Sequence, residues 1–345
     1  MKKHILLGLI TAALFSCGGK ESKQESTPSQ EVTSEFKELD KKARALFGAL
    51  PSEAINPNNP ITEEKVLLGK TLFFDVRLSK DNTQSCNTCH NLNTYGVDNN
   101  SFSAGNDGNL GGRNSPTVLN SALHLSQFWD GREPHVEAQS GGPILNPAEM
   151  AMPSEAAVIE RLSGIKEYVE LFKNAFPEEE ETITYDNLKK AIGAFERKLI
   201  TPSRFDKYIE GTNDALTNKE KEGLQTFINS GCVTCHTGSL LGGKMYQKFG
   251  LYADYWDFTK SENIDNGRFD ATKNEADRYM FKVPSLRNIE KTAPYFHDGS
   301  VKELGDAIRI MAKVQVNKDL SNEEIDKIIT FLNTLTGEVP NELKQ

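Results

Sequence analysis

Apolar residues recur at helical spacing in several stretches of the chain, and each stretch carries its own boundary signals. Ile61-Thr-Glu-Glu-Lys-Val-Leu-Leu-Gly-Lys-Thr-Leu-Phe-Phe74 repeats apolar positions with a helical period. Tyr185 to Leu199 is a second amphipathic run. Thr217-Asn-Lys-Glu220 is a capping box that opens a helix over Lys219 to Ile228. Ser321-Asn-Glu-Glu324 caps a last helix through Leu335, stopped near Gly337 and Pro340. Alternating strand patterns are scarce. Asn, Gly and Pro are dense after Cys86-Asn-Thr-Cys-His90 and after Cys232-Val-Thr-Cys-His236, so these stretches read as irregular chain wrapped around something. The two halves form a weak internal repeat of helix, Cys-x-x-Cys-His and long irregular stretch, then helix. Thr201-Pro202-Ser203 marks the boundary between them.

The N-terminus follows a different pattern. Lys2 and Lys3 precede an apolar run from Ile5 to Phe15, too short to span a bilayer. Leu14-Phe15-Ser16-Cys17 then resembles a bacterial lipoprotein signal, in which Cys17 becomes the lipidated first residue. Residues 18–34 are rich in Ser, Glu, Gln, Lys and Gly, have no aromatic, and read as a flexible tether. The remaining chain, out of 345 residues, is long enough for two domains, expected over 35–200 and 201–345, with the last helix free to pack back on the first. A net charge of −9 argues against nucleic acid and favours a basic partner steered by attraction.

Of five cysteines, Cys17 belongs to the signal, and Cys86, Cys89, Cys232 and Cys235 remain. Both pairs are Cys-x-x-Cys followed at once by His, the signature of covalent c-type haem attachment. A zinc ribbon would place its two pairs close together, and a thioredoxin-like pair needs no His. The expectation is two covalent haems with proximal ligands His90 and His236, in a mainly α protein of two cytochrome c-like haem domains with extended irregular loops.

The ligands on the far faces are less legible. No His, Met, Lys or Cys occurs between Asn91 and Thr117, directly after the first haem motif. After His236 the candidates are Met245, Met280 and Met311. A methionine opposite histidine raises a haem's potential and suits electron transfer. Spacing does not choose between Met280 and Met311.

Cys86-Asn-Thr-Cys-His-Asn-Leu, Arg113-Asn-Ser-Pro-Thr117, Gln127-Phe-Trp-Asp-Gly-Arg132, Lys282-Val-Pro-Ser-Leu-Arg-Asn288 and Thr292-Ala-Pro-Tyr-Phe-His-Asp-Gly299 resemble the bacterial di-haem cytochrome c peroxidases, from about Leu67 to about Met311. The resemblance implies His236 and Met311 as ligands of a high-potential C-terminal haem that takes in electrons, with the haem on His90 as the peroxidatic one. Trp129 resembles the family's tryptophan between the haems. Asn114, Thr292 and Pro294 match its calcium site, and oxygen donors suit that cation. Reduction of hydrogen peroxide needs a group that moves a proton between its two oxygens. By resemblance that group is Glu149, assisted by Gln139. The electron donor would be a small cytochrome c or copper protein, the protein a homodimer, and its place the periplasm.

Many family members close the peroxidatic iron with a distal histidine, released when the other haem is reduced. Counting back from Arg113, its position is Asn106, a poor iron ligand. Either the site rests open or His124 or His135 substitutes. Two other readings compete with the peroxidase. The methylamine-utilisation type of di-haem enzyme oxidises a partner protein and has tyrosine where Met311 stands here. A di-haem electron carrier would need strong ligands on both irons, against the ligand-free stretch after His90.

Overall fold

A computed structural model describes residues 36–345. The expected export segment, Cys17 and the expected tether lie outside the described residues. Ten helices of six or more residues carry the fold among them: α1 Lys37–Leu46, α2 Glu63–Phe74, α3 Val136–Leu145, α4 Glu155–Ser163, α5 Lys166–Ala175, α6 Tyr185–Glu196, α7 Arg204–Ile209, α8 Asn218–Asn229, α9 Leu304–Val316 and α10 Asn322–Leu332. Two three-residue strands, β1 Tyr246–Lys248 and β2 Met280–Lys282, pair antiparallel. The fold class is therefore mainly α, as expected.

The expected boundary signals operate. Thr62 caps α2 by accepting from the Lys65 N–H. Thr217 with Glu220, and Ser321 with Glu324, close reciprocal capping boxes at the starts of α8 and α10. Such caps are worth about 1 kcal/mol each. The last α-helix stops at Leu332, and Asn333–Leu335 tightens into a 3-10 turn.

Each half is built on one close helix crossing. α2 crosses α6 at Gly69, where a β-carbon would overlap the Ala191 carbonyl oxygen. α8 crosses α10 at Gly223, where a β-carbon would overlap the Lys327 carbonyl oxygen. Only glycine lets two backbones approach this closely. Leu68, Leu72, Ile144, Phe172, Leu188 and Ile192 fill the core beside the first crossing. Phe205, Phe227 and Phe331 meet edge-on or tilted, at 5.2–5.5 Å, beside the second. Residues 38–345 pack as one compact unit. Within it, Phe47 after α1 packs on Phe205 of α7, and Asp40 accepts from the Tyr208 hydroxyl at 2.7 Å. Past α10, Val339 and Leu343 join the cluster of Phe73, Leu92 and Phe195. Both chain ends of this unit thus reach across the boundary expected near Thr201. No helix among the described residues is long and apolar enough to cross a membrane.

Candidate functional site: two Cys-x-x-Cys-His turns

Both cysteine motifs lie on a single tight turn placed after a crossing helix. Cys86–Cys89 is one α-turn, and the His90 N–H bonds back to the Cys86 carbonyl at 2.9 Å. Cys232–Thr234 is a 3-10 turn, and the His236 N–H bonds to the Cys232 carbonyl at 3.0 Å. Residues three and four apart on such a turn share a face, so each motif offers two sulfurs and an imidazole together. None of the four cysteines is in a disulfide. Burial pushes Cys89 and Cys232 up to about 11, and Cys86 and Cys235 in the same direction. Among the described residues no cluster of three or more His, Cys, Asp or Glu side chains gathers to hold a metal ion.

The histidines fit a covalent haem. The Nδ1 of His236 lies 2.8 Å from the Leu241 carbonyl oxygen. That bond makes Nδ1 the protonated nitrogen and leaves Nε2 as the lone-pair donor. His90 Nδ1 is buried with no hydrogen-bond partner. Burial lowers both imidazoles, which favours the neutral, ligating form. Met311 sits on α9 in a cluster with Trp129, Phe249, Tyr255 and Phe281.

Glu149 follows α3 on the turn that begins at Asn146. Its Oε1 accepts from Asn146 Nδ2 at 2.8 Å. Burial raises its carboxyl, against partial opposition from Asn146 and Arg132. Its charge acts on both Cys86 and Cys89, which places it beside the first motif. Gln139 lies half-buried in the middle of α3, one element before Glu149.

The loop bearing Asn106 is tied down on that same turn. The Asn106 N–H donates to the Glu149 carbonyl at 2.6 Å. Its side chain is turned to Asp81 and Thr83: Nδ2 donates to Asp81 Oδ2 at 2.9 Å, and Oδ1 accepts from the Asp81 N–H at 3.1 Å. His124 lies against Gly243 and feels Lys282 and Lys244. His135 caps α3, accepting from the Ala138 N–H, and stands half-exposed beside Glu137.

Trp129 is held by both halves. Its indole N–H donates to the Asn114 carbonyl at 2.8 Å, and its own carbonyl accepts from the Lys282 N–H at 2.8 Å. Asn114 in turn donates from its backbone to the His297 carbonyl at 2.7 Å. Asn99 Nδ2 reaches the carbonyls of Lys291 and Ala293, on either side of Thr292. The segments carrying Asn114, Thr292 and Pro294 are thus stitched to one another. Arg113 joins the halves with charge, pairing Asp130 at 2.7 Å and Asp265 at 2.6 Å.

Two features had no signal in the sequence. Glu137 and Arg197 form a buried bidentate pair at 2.7 and 2.8 Å. Beside it Glu196, 5% exposed, is pushed up to about 8 by burial and by Glu137, against the pull of Arg197. Glu137 lies 60 positions from Arg197 along the chain, and Phe195-Glu196-Arg197 matches no motif.

Residues 63–214 match the sequence profile described as di-haem cytochrome c peroxidase. The chain is 47% identical over 292 residues to the cytochrome c551 peroxidase of Nitrosomonas europaea, covering 84% of each. It is 43% identical to the cytochrome c551 peroxidase of Pseudomonas aeruginosa, covering 88% of this chain and 87% of that one. A solved MauG-like protein associated with microbial copper homeostasis superposes with a TM-score of 0.74 at 30% identity, covering 84% of this chain and 94% of that one.

Proposed function

The chain belongs to the di-haem cytochrome c peroxidase family, an oxidoreductase family acting on peroxide, and from that premise we propose that it reduces hydrogen peroxide to water at the haem carried by Cys86, Cys89 and His90. Electrons would enter at the second haem, carried by Cys232 and Cys235 and ligated by His236 and Met311. The reaction consumes two electrons and two protons per peroxide and yields two waters. When bound, the haems supply the electrons and the iron that takes the peroxide. The residues of the chain supply position and protons.

The single observation that carries this reading is Glu149. It is a buried carboxyl beside the first motif, raised by its surroundings and oriented by Asn146. A carboxyl raised toward working pH accepts a proton from one peroxide oxygen and returns it to the other efficiently. Gln139 is assigned the supporting hydrogen bond. Trp129, clamped between Asn114 and Lys282, is assigned the passage of electrons between haems. Asn114, Thr292 and Pro294 are assigned one calcium ion. Asn114 Nδ2 is occupied by the Asn100 carbonyl, which leaves its Oδ1 for a cation.

The first haem rests open on this reading. Asn106 is bonded to Asp81, Thr83 and Glu149, His135 Nδ1 accepts from the Ala138 N–H, and His124 packs against Gly243, in the loop after the second motif. With both haems ferric, a high-spin signal is expected in optical and paramagnetic resonance spectra, and peroxide should react without pre-reduction. Two purely low-spin ferric haems with a lag before activity would refute it. The donor is assigned as a small cytochrome c or copper protein, attracted to the acidic surface. The protein is placed in the periplasm as a homodimer anchored through lipid on Cys17. The methylamine-utilisation alternative is disfavoured by Met311, since that type has tyrosine there.

A further inference from the structure

His124 and Lys282 are basic groups packed inside the fold with no acid to answer them. Lys282 is 6% exposed, and its Nζ has one hydrogen bond, to the Ser126 carbonyl at 2.7 Å. The one carboxylate that acts on it, Asp130, is already paired with Arg113 at 2.7 Å and Arg132 at 3.0 Å. Both ring nitrogens of His124 are buried without a hydrogen-bond partner. A buried ammonium with no counter-charge is costly, and buried ring nitrogens without partners are rare. Both conditions call for an anion that accepts hydrogen bonds.

The position of these groups says which anion. Gly242 and Gly243 are consecutive, and each lies close to one of the two imidazoles. A β-carbon on Gly242 would stand 3.3 Å from His236 Nδ1, and one on Gly243 would stand 3.0 Å from His124 Cδ2. The Gly243 N–H bonds to the Val283 carbonyl at 2.7 Å, which brings the residue after Lys282 against the same loop. His124 and Lys282 therefore flank the second Cys-x-x-Cys-His turn. The group that turn carries brings two propionate carboxylates of its own.

We infer that His124 and Lys282 form the seat of a propionate carboxylate of the haem on Cys232, Cys235 and His236. The inference rests on the reading that this second turn carries a haem. Lys282 Nζ provides the charge-assisted hydrogen bond, and a His124 nitrogen provides the second donor. Burial draws the Lys282 ammonium down to about 7, with a partial opposing pull from Asp130, and a carboxylate at Nζ holds it in the charged form. A fixed positive charge at the haem edge favours the reduced iron, so the pair also sets the potential at which this haem accepts electrons.

The test uses the holoprotein. Haem content is measured by pyridine haemochrome, and the two midpoint potentials by spectroelectrochemical titration. Lys282→Gln is expected to shift the ferric–ferrous equilibrium of the second haem at least tenfold toward ferric, a fall of 59 mV for a one-electron couple. Lys282→Arg should restore most of it, and the first haem should not move. His124→Gln should shift the second haem in the same direction by a smaller factor, and it reads the same seat if Lys282→Gln does not fold. An unchanged second potential in both variants, or a shift confined to the first haem, overturns the inference. One haem per wild-type chain would instead overturn the di-haem reading, and this inference with it.

Discussion

Replacing Glu137 by Gln keeps the size of the side chain and removes its charge, leaving Arg197 buried without its counter-ion. The Arg197 and Glu137 side chains are 6% and 7% exposed, so solvent screens the pair little. Burial alone would raise the Glu137 carboxyl. Arg197, with Asn59 and Asn56 also donating to it, more than offsets this and holds the group at about 2 instead of 4.5. At ~1.36 kcal/mol per pKa unit that displacement corresponds to about 3 kcal/mol of folding stability. Breaking a buried pair by removing one partner costs a similar ~3–5 kcal/mol. The sign follows from linkage. A carboxyl depressed in the folded state contributes its full stability above the unfolded value of 4.5 and loses it as pH falls toward about 2. Urea titrations of wild type and Glu137→Gln should differ by about 3 kcal/mol at pH 7, and by less than half of that at pH 3. A difference below about 1 kcal/mol at pH 7, or one that does not shrink on acidification, would refute the assignment of this energy to the Glu137–Arg197 pair.

Three further outcomes are expected. Glu149→Gln should lower kcat/KM for peroxide by roughly 10²–10⁴ with haem content unchanged, and steady-state kinetics with a reduced donor protein would reveal a merely structural role by leaving it intact. Trp129→Phe keeps an aromatic ring, smaller than the indole, and loses the bond to the Asn114 carbonyl. In stopped-flow mixing with peroxide, oxidation of the second haem should slow by up to about tenfold, the upper end for one lost hydrogen bond. Gly223→Ala sets a methyl into the Lys327 carbonyl at the α8–α10 crossing and should cost about 3 kcal/mol in thermal or urea unfolding, with a neutral result excluding a tight crossing there.

What the sequence made legible was local. The capping boxes at Thr217 and Ser321 need only residues three apart, and both appear as expected. The two Cys-x-x-Cys-His turns are set by spacing alone. Asn106 was identified by counting back from Arg113, but its partners Asp81 and Thr83 come from the other side of the first haem motif. Arg113–Asp265 and Arg197–Glu137 join residues 152 and 60 positions apart, and no periodicity reports such pairs. Nothing in Lys282-Val-Pro-Ser-Leu-Arg-Asn288 marks Lys282 as buried. Its burial becomes visible only when the Gly243 loop and the segment around Ser126 are folded against it.

Trp129 is fastened at its ring nitrogen to one segment and at its carbonyl to another. A bridge held at two points has no swing to wait for. If electrons pass through it, their rate is set by fixed distances and driving force, and the viscosity of the surrounding medium should leave it unchanged. A crowded medium would then slow the arrival of the donor protein and not the transfer inside the enzyme.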